Sequence, residues 1–171
     1  MKLFNEIEKE AGGKKQSKSW YRQQIESKLS KIDWKSEDDD IDTAGLNPYG
    51  NIYFYSYSAE YPYNYPYYDR YPMTYIINID AKNGKMFGAN LHYLSPTIRE
   101  GVAGSLINKA GEWRGIVPEI CLHTYFIANC GTFYRVPARE WKGLSKLPVQ
   151  DFRNPKGRYV SDSKVWTGSG R

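Results

Sequence analysis

Apolar residues recur with two periods along the chain, and each period predicts a different element. Trp20, Ile25, Leu29 and Ile32 fall on adjacent turns of a helix that Ser19 can cap and that runs to about Leu29, with Arg22, Gln23, Glu26 and Lys28 facing away. Upstream, Leu3 to Glu10 is charged and weakly amphipathic, is closed by Gly12-Gly13, and is expected as a detachable arm. Past the turn signal Asn47-Pro48-Tyr49-Gly50 the period drops to two. Ile52 to Ser58 alternates and predicts a strand with one aromatic face. Met73 to Ile79 and Met86 to Tyr93 read as two more strands, joined by a hairpin at Asn83-Gly84. Between them, three prolines from Tyr61 to Pro72 predict an extended loop.

The second half reads as more helical. Ser95-Pro96 starts a helix carrying Ile98, Val102, Leu106 and Ile107 through Lys109, and Pro118 to Phe126 reads as a second, shorter helix. Thr132 to Val136 is expected to be a strand that closes the sheet, and Pro137 to Trp141 a helical turn. The fold class is therefore α+β: a small antiparallel sheet or SH3-like barrel with an N-terminal helix and two or three flanking helices. Residues 1–46 form an arm, helix and acidic linker, 47–147 the core domain, and 148–171 an extended basic tail that either floats or docks on a neighbour.

Composition sharpens this picture in three places. Eleven of the sixteen tyrosines lie between Tyr49 and Tyr75. The net charge is +5, and it is concentrated at the ends: residues 1–36 hold nine Lys/Arg against five Asp/Glu, and residues 135–171 hold nine against three. The acidic run Glu37 to Asp42 lacks the glycine and distal glutamate of a calcium loop and reads as a solvated linker. No apolar stretch approaches a membrane span, and the first residues carry acids where a Sec leader needs an apolar run, so neither is expected.

Catalytic chemistry finds little support. Cys121, His123 and Cys130 lack the close pairing of a structural zinc site, and His92 sits in an apolar run where a packed or hydrogen-bonded histidine is commoner than a base. Asp69, Asp80, Glu100 and Glu140 form no pair whose spacing implies a shared acid/base site, and Asp69-Arg70 reads as a local loop clamp. No phosphate-binding glycine loop is present. The expectation is a protein without cofactor or metal that is not an enzyme, with a metal-dependent nucleic-acid enzyme as the minority alternative.

Pro66-Tyr67-Tyr68-Asp69-Arg70-Tyr71-Pro72-Met73 and Phe87-Gly88-Ala89-Asn90-Leu91-His92-Tyr93-Leu94 resemble paired segments in small proteins of large contractile-tailed bacteriophages. Ser19-Trp20-Tyr21-Arg22, Val136 to Trp141, Leu147 to Phe152 and Val165-Trp166 fit the same layout, so the resemblance spans about Ser19 to Trp166. It implies a phage origin and a virion role. The leading expectation is a structural component of the tail, baseplate or neck, met in the host cytoplasm during assembly and then in the virion. Its partners would be other phage structural proteins or further copies of itself, with no membrane. Aromatic side chains suited to an interface are Trp20, Tyr63, Tyr65, Tyr67, Tyr68, Tyr71 and Trp166, with Arg70 and Val165 beside them. The alternative is a DNA-binding or DNA-end-handling protein acting through Lys14, Lys15, Lys18, Arg22 and the C-terminal cations.

Overall fold

The structure is a computed structural model and describes residues 2–32, 50–59, 65–109 and 112–168. The acidic run, Tyr63 and the boundary expected at 46/47 lie outside these. In chain order the elements are α1 (Leu3–Ala11), α2 (Lys18–Lys28), β1 (Ser30–Ile32), β2 (Ile52–Phe54), β3 (Tyr68–Asp69), β4 (Met73–Asp80), β5 (Lys85–Asn90), α3 (Pro96–Asn108), β6 (Leu122–Phe126), β7 (Phe133–Val136), α4 (Trp141–Leu144), β8 (Phe152–Arg153) and α5 (Asp162–Gly168). Six strands form one antiparallel sheet in the order β1-β7-β2-β4-β5-β6, and β3 pairs with β8 in a separate ribbon. This is a mixed α+β fold with five helices; the sheet does not close into the barrel held open as an alternative, because β1 and β6 remain its two ends.

Both faces of the sheet are covered, which the two-residue period explains. Ile52 and Phe54 point into a core built with all five helices, including Ile7, Ile25, Ala103, Leu144 and Val165. Tyr53, Tyr55 and Tyr57 point the other way, into a smaller core with Ile76, Met86, Tyr125 and Phe133. There the sheet curls over itself: Tyr55 meets Phe133 at 4.9 Å and Tyr125 at 5.7 Å between ring centroids, and Tyr57 bridges to Cys130. The aromatic face expected of this strand thus fills a second core rather than an interface. The hairpin at Asn83-Gly84 forms, with Gly84 at φ +64° and Asp80 bonded to Asn83.

Three elements differ from the sequence reading. Residues 122–126 form β6, not a helix; the β-branched and aromatic Thr124-Tyr125-Phe126 suits a strand, and β6 covers the edge that β5 would otherwise leave bare. Helix α3 buries Arg99, Val102, Ala103 and Leu106 and leaves Ile98 and Ile107 more than a third exposed, so its inward face is turned away from the stripe the aliphatic residues suggest. Helix α2 starts two residues earlier than Ser19 would set it: Ser17 accepts the Trp20 amide at 3.1 Å and is the cap.

The termini are tied to the body. Ile7 is 0% exposed, and the buried carboxylate of Glu140 accepts the Leu3 amide at 2.9 Å, supplying the N-terminal cap that Lys2 cannot. Phe4 lies against Gly143, where a Cβ would stand only 2.7 Å from Phe4 Cβ. At the other end Val149, Phe152, Val160 and Val165 enter the main core, and the Trp166 indole N–H donates to the His92 carbonyl at 3.0 Å. Val165 and Trp166, expected to grip a neighbour, are held by their own chain.

Candidate nucleic-acid interface

The capping of α2 by Ser17 fixes where the first cations go. Lys18 stands on the opening turn, and Arg22 follows it one turn later on the same face. Lys18 Nζ lies 2.8 Å from both carboxylate oxygens of Asp162 and from the Gln150 carbonyl. The Arg22 guanidinium lies 4.0 Å from the centre of the Tyr71 ring and donates to the Val149 carbonyl. Both residues of α2 therefore reach the C-terminal segment.

That segment brings its own cations to the same place. Arg153 donates two bonds to Asp151, at 3.0 and 3.2 Å, while Arg70 approaches the same carboxylate at 3.5 Å. Tyr159, 54% exposed, has Lys18 5.6 Å and Arg153 5.9 Å from its ring centre. Burial together with Asp162 and Asp151 raises its hydroxyl above the ordinary value of 10.0, and Lys15 is near enough to pull it partly back. Asn154 accepts the amides of Lys156 and Arg158, both at 2.9 Å, and so folds a tight turn that presents two more exposed cations. Lys14 and Lys15 are exposed on the connection from α1 to α2. The two basic ends of the chain meet around one exposed aromatic ring.

The remaining sequence-selected residues divide. Trp20 is half-buried and packs edge-on against Tyr21 at 5.1 Å. Tyr67 packs on Tyr93 and Phe152, Tyr68 is half-buried in β3, and Tyr65 is 46% exposed. Sequence reasoning passed over Tyr159 and the role of Asp151, and counted Arg153 only among the C-terminal cations. A signal existed for the first: it is the aromatic residue flanked by cations in the basic tail.

The carboxylates once weighed as acids all hold structure. Asp69, 2% exposed, accepts four bonds: the Tyr71 and Asp151 amides on Oδ1, and Asn90 Nδ2 and His92 Nδ1 on Oδ2, at 2.8–3.0 Å. It is a clamp across distant segments, not a local pair with Arg70. Burial would raise its carboxyl, but the His92 ring and these bonds outweigh that and hold it below the ordinary value of 3.8. Burial lowers His92, and the neighbouring Asp69 carboxylate, 2.8 Å from its Nδ1, pulls it back. Glu140 caps α1, Asp80 caps its turn, and Glu100 pairs with Lys146 at 2.7 Å. Cys121 and Cys130 are buried in the two separate cores, and no group of three metal-ligating side chains occurs among the described residues.

Arg99 completes the buried polar centre. Fully buried, its guanidinium donates to the carbonyls of Leu94, Ser145 and His92 at 2.6, 3.1 and 3.2 Å and lies 5.3 Å from the Trp166 ring. Burial lowers it from 12.5 to about 10, which leaves it charged at neutral pH. The segments that carry the phage resemblance thus converge: Asp69 from one, Asn90 and His92 from the next, Asp151 and Trp166 from the tail.

The fold carries a basic face assembled from both termini. Residues 3–126 match the family model described as phage T4 terminal DNA protecting protein, and the chain belongs to that family. No curated protein and no solved structure matches the chain. The phage origin implied by the resemblance stands, but the expected role as a structural part of tail, baseplate or neck is overturned, since the family is one of DNA protection. The matched region ends at Phe126, so Arg153, Lys156, Arg158 and Tyr159 lie beyond it.

Proposed function

We propose that this protein binds the ends of linear double-stranded DNA and shields them, using the basic face around Tyr159 to hold backbone phosphates. The family match carries the reading. The convergence of Lys14, Lys15, Lys18, Arg22, Arg153, Lys156 and Arg158 on one surface supports it, because phosphate neutralisation by such cations supplies most sequence-independent affinity. Sequence independence suits a protein whose target is an end. The role is binding and needs no reacting group.

The test compares an end-labelled linear duplex with the same sequence as a closed circle. Expected is a retarded linear complex at low salt, slower digestion of the bound duplex by an added exonuclease, and weak competition by the circle. Charge reversal at the exposed Lys14, Lys15 and Arg158 should abolish the complex while leaving the fold intact. Equal competition by the circle would refute end recognition, and no binding at low salt would refute the DNA reading altogether.

A further inference from the structure

Beside the basic face lies a cavity of about 320 Å³, at the small end of ligand-sized pockets, with a wall made mainly of aromatic side chains. Tyr68 and Asp69 belong to it, and Asp69 accepts the amide of Asp151, whose carboxylate holds Arg70 and Arg153; the cavity and the basic face share a wall. Inside, Tyr93 stacks on His123 at 4.3 Å and 23°, and Tyr67 continues from Tyr93 at 6.2 Å and 31°. Tyr93 and His123 are stacked, and Tyr67 extends this pair as a tilted step of a staircase. Tyr65, 46% exposed, meets His123 at 66° and stands at the margin. Lys85 also lines the cavity, its ammonium 5.6 Å from the centre of the Phe126 ring.

We propose that this cavity receives the unpaired terminal base of a DNA strand, stacked on the Tyr67–Tyr93–His123 staircase and covered by Tyr65, with its phosphate on Lys85. The inference rests on the end-binding reading and adds the feature that separates an end from a duplex interior, since only an end offers a base without a neighbour on one side. Three observations favour a base. The walls offer flat rings, and stacking serves every base through its π-face. The Tyr93 and Tyr125 phenols, ordinarily uncharged at neutral pH and pushed further up by burial, are hydrogen-bonding groups that do not repel a phosphate. Asp69 has its oxygens already engaged, and the exposed charge at the cavity is the cation of Lys85.

The test uses the full chain and a duplex closed by a hairpin loop at one end and carrying a single unpaired 2-aminopurine at the other. The control is the same duplex closed by loops at both ends. Expected is quenching of the 2-aminopurine on binding and a preference for the open duplex of roughly 5- to 150-fold, the range for stacking one base. Tyr65→Ala and Lys85→Ala, both at exposed positions, should remove quenching and preference while affinity for the doubly closed duplex stays unchanged. Binding of the open duplex without quenching, or quenching indifferent to both substitutions, overturns the base site and leaves the end-binding reading in place. Equal quenching of the free 2-aminopurine nucleotide at equal affinity makes this a nucleotide pocket and overturns it as well. Absence of binding to either duplex at low salt overturns the end-binding reading itself.

Discussion

Asp69→Asn replaces one atom and asks what the buried polar centre is for. In the wild type, Oδ1 accepts two backbone amides and Oδ2 accepts Asn90 and His92. An asparagine can keep its carbonyl on the two amides, but its NH₂ then faces two donors. The imidazole can adapt by moving its proton to Nε2. Asn90 cannot turn over, because its oxygen already accepts the Met73 and His92 amides at 3.2 and 3.1 Å. One buried donor is left without a partner, at about 1–3 kcal/mol, and the charge-assisted bonds become neutral ones of about half the strength. Some of that loss is offset because a buried charge is removed. The net cost is about 3 kcal/mol, which lowers Tm by roughly 6–12 °C for a chain of this size.

Urea and thermal denaturation at pH 7 read the cost directly, and DNA binding measured well below the variant's Tm supplies the second readout. There the variant should still bind duplex DNA, since the Asp69 oxygens hold strands and meet no phosphate, but its affinity should fall earlier on warming than the wild type's, because Asp69 ties Asp151 and the arginines it orients to the buried centre. Stability within about 0.5 kcal/mol of wild type would refute the structural role argued here. Full stability with lost binding would make Asp69 a functional group.

Arg99→Met should cost about 3–5 kcal/mol, because three buried carbonyls each lose a donor at about 1–3 kcal/mol and removal of the buried charge offsets part of that, and should expose the C-terminal segment to proteolysis; unchanged protection of residues beyond Val160 would count against Arg99 as the support of Trp166. Gly143→Ala should destabilise by about 1–2 kcal/mol, where an exposed helical glycine would gain nearly 1 kcal/mol from the same change, because the new Cβ pushes Phe4 and α1 off α4; a raised Tm refutes the contact. Acid should weaken the fold in two stages. Burial lowers both His92 and His123 from 6.5, so the unfolded chain binds more protons as pH falls through 6.5 and stability drops by up to about 1.4 kcal/mol per unit for each. Asp69, depressed below 3.8, adds a further loss as pH falls past that value, and a flat profile between pH 7 and 5 would refute the first stage. Lys14→Ala and Arg158→Ala should each reduce the slope of log K against log salt by about 1, and an unchanged slope in both would remove those residues from the phosphate contacts.

How much of this can be read from the chain depends on distance along it. The Asn83-Gly84 hairpin, the helix opening at Pro96 and the alternation of Tyr53, Tyr55 and Tyr57 are local patterns, and each forms. Residues 122–126 are a short segment whose period does not separate strand from helix, and the edge of β5 adds its weight to the strand preference of Thr124, Tyr125 and Phe126. The inward face of α3 is hidden because a buried arginine looks like a surface residue until three carbonyls are brought to it. The tail reads as solvated because Val149, Phe152, Val160 and Val165 enter the core singly between polar neighbours. The family match bears out a phage protein, while the segments behind the resemblance meet at the buried centre and say little about the surface.

The arrangement of acids explains why a protein of modest net charge can present a directed basic face. Asp151 and Asp162 do not dilute that face evenly; they orient Arg70, Arg153 and Lys18 and fix the last two beside Tyr159. Lys14, Lys15, Lys156 and Arg158 stand exposed beside them, with no ion pair among the described residues. Placement depends on docking of both termini, α1 through Glu140 and Phe4, the tail through Trp166 and Val165. The link runs inward as well, since the Asp151 amide is bonded to Asp69 and Asp69 to His92. Loosening the buried centre should therefore scatter the cations before it unfolds the sheet, and affinity for DNA should fall at temperatures where the sheet is still intact.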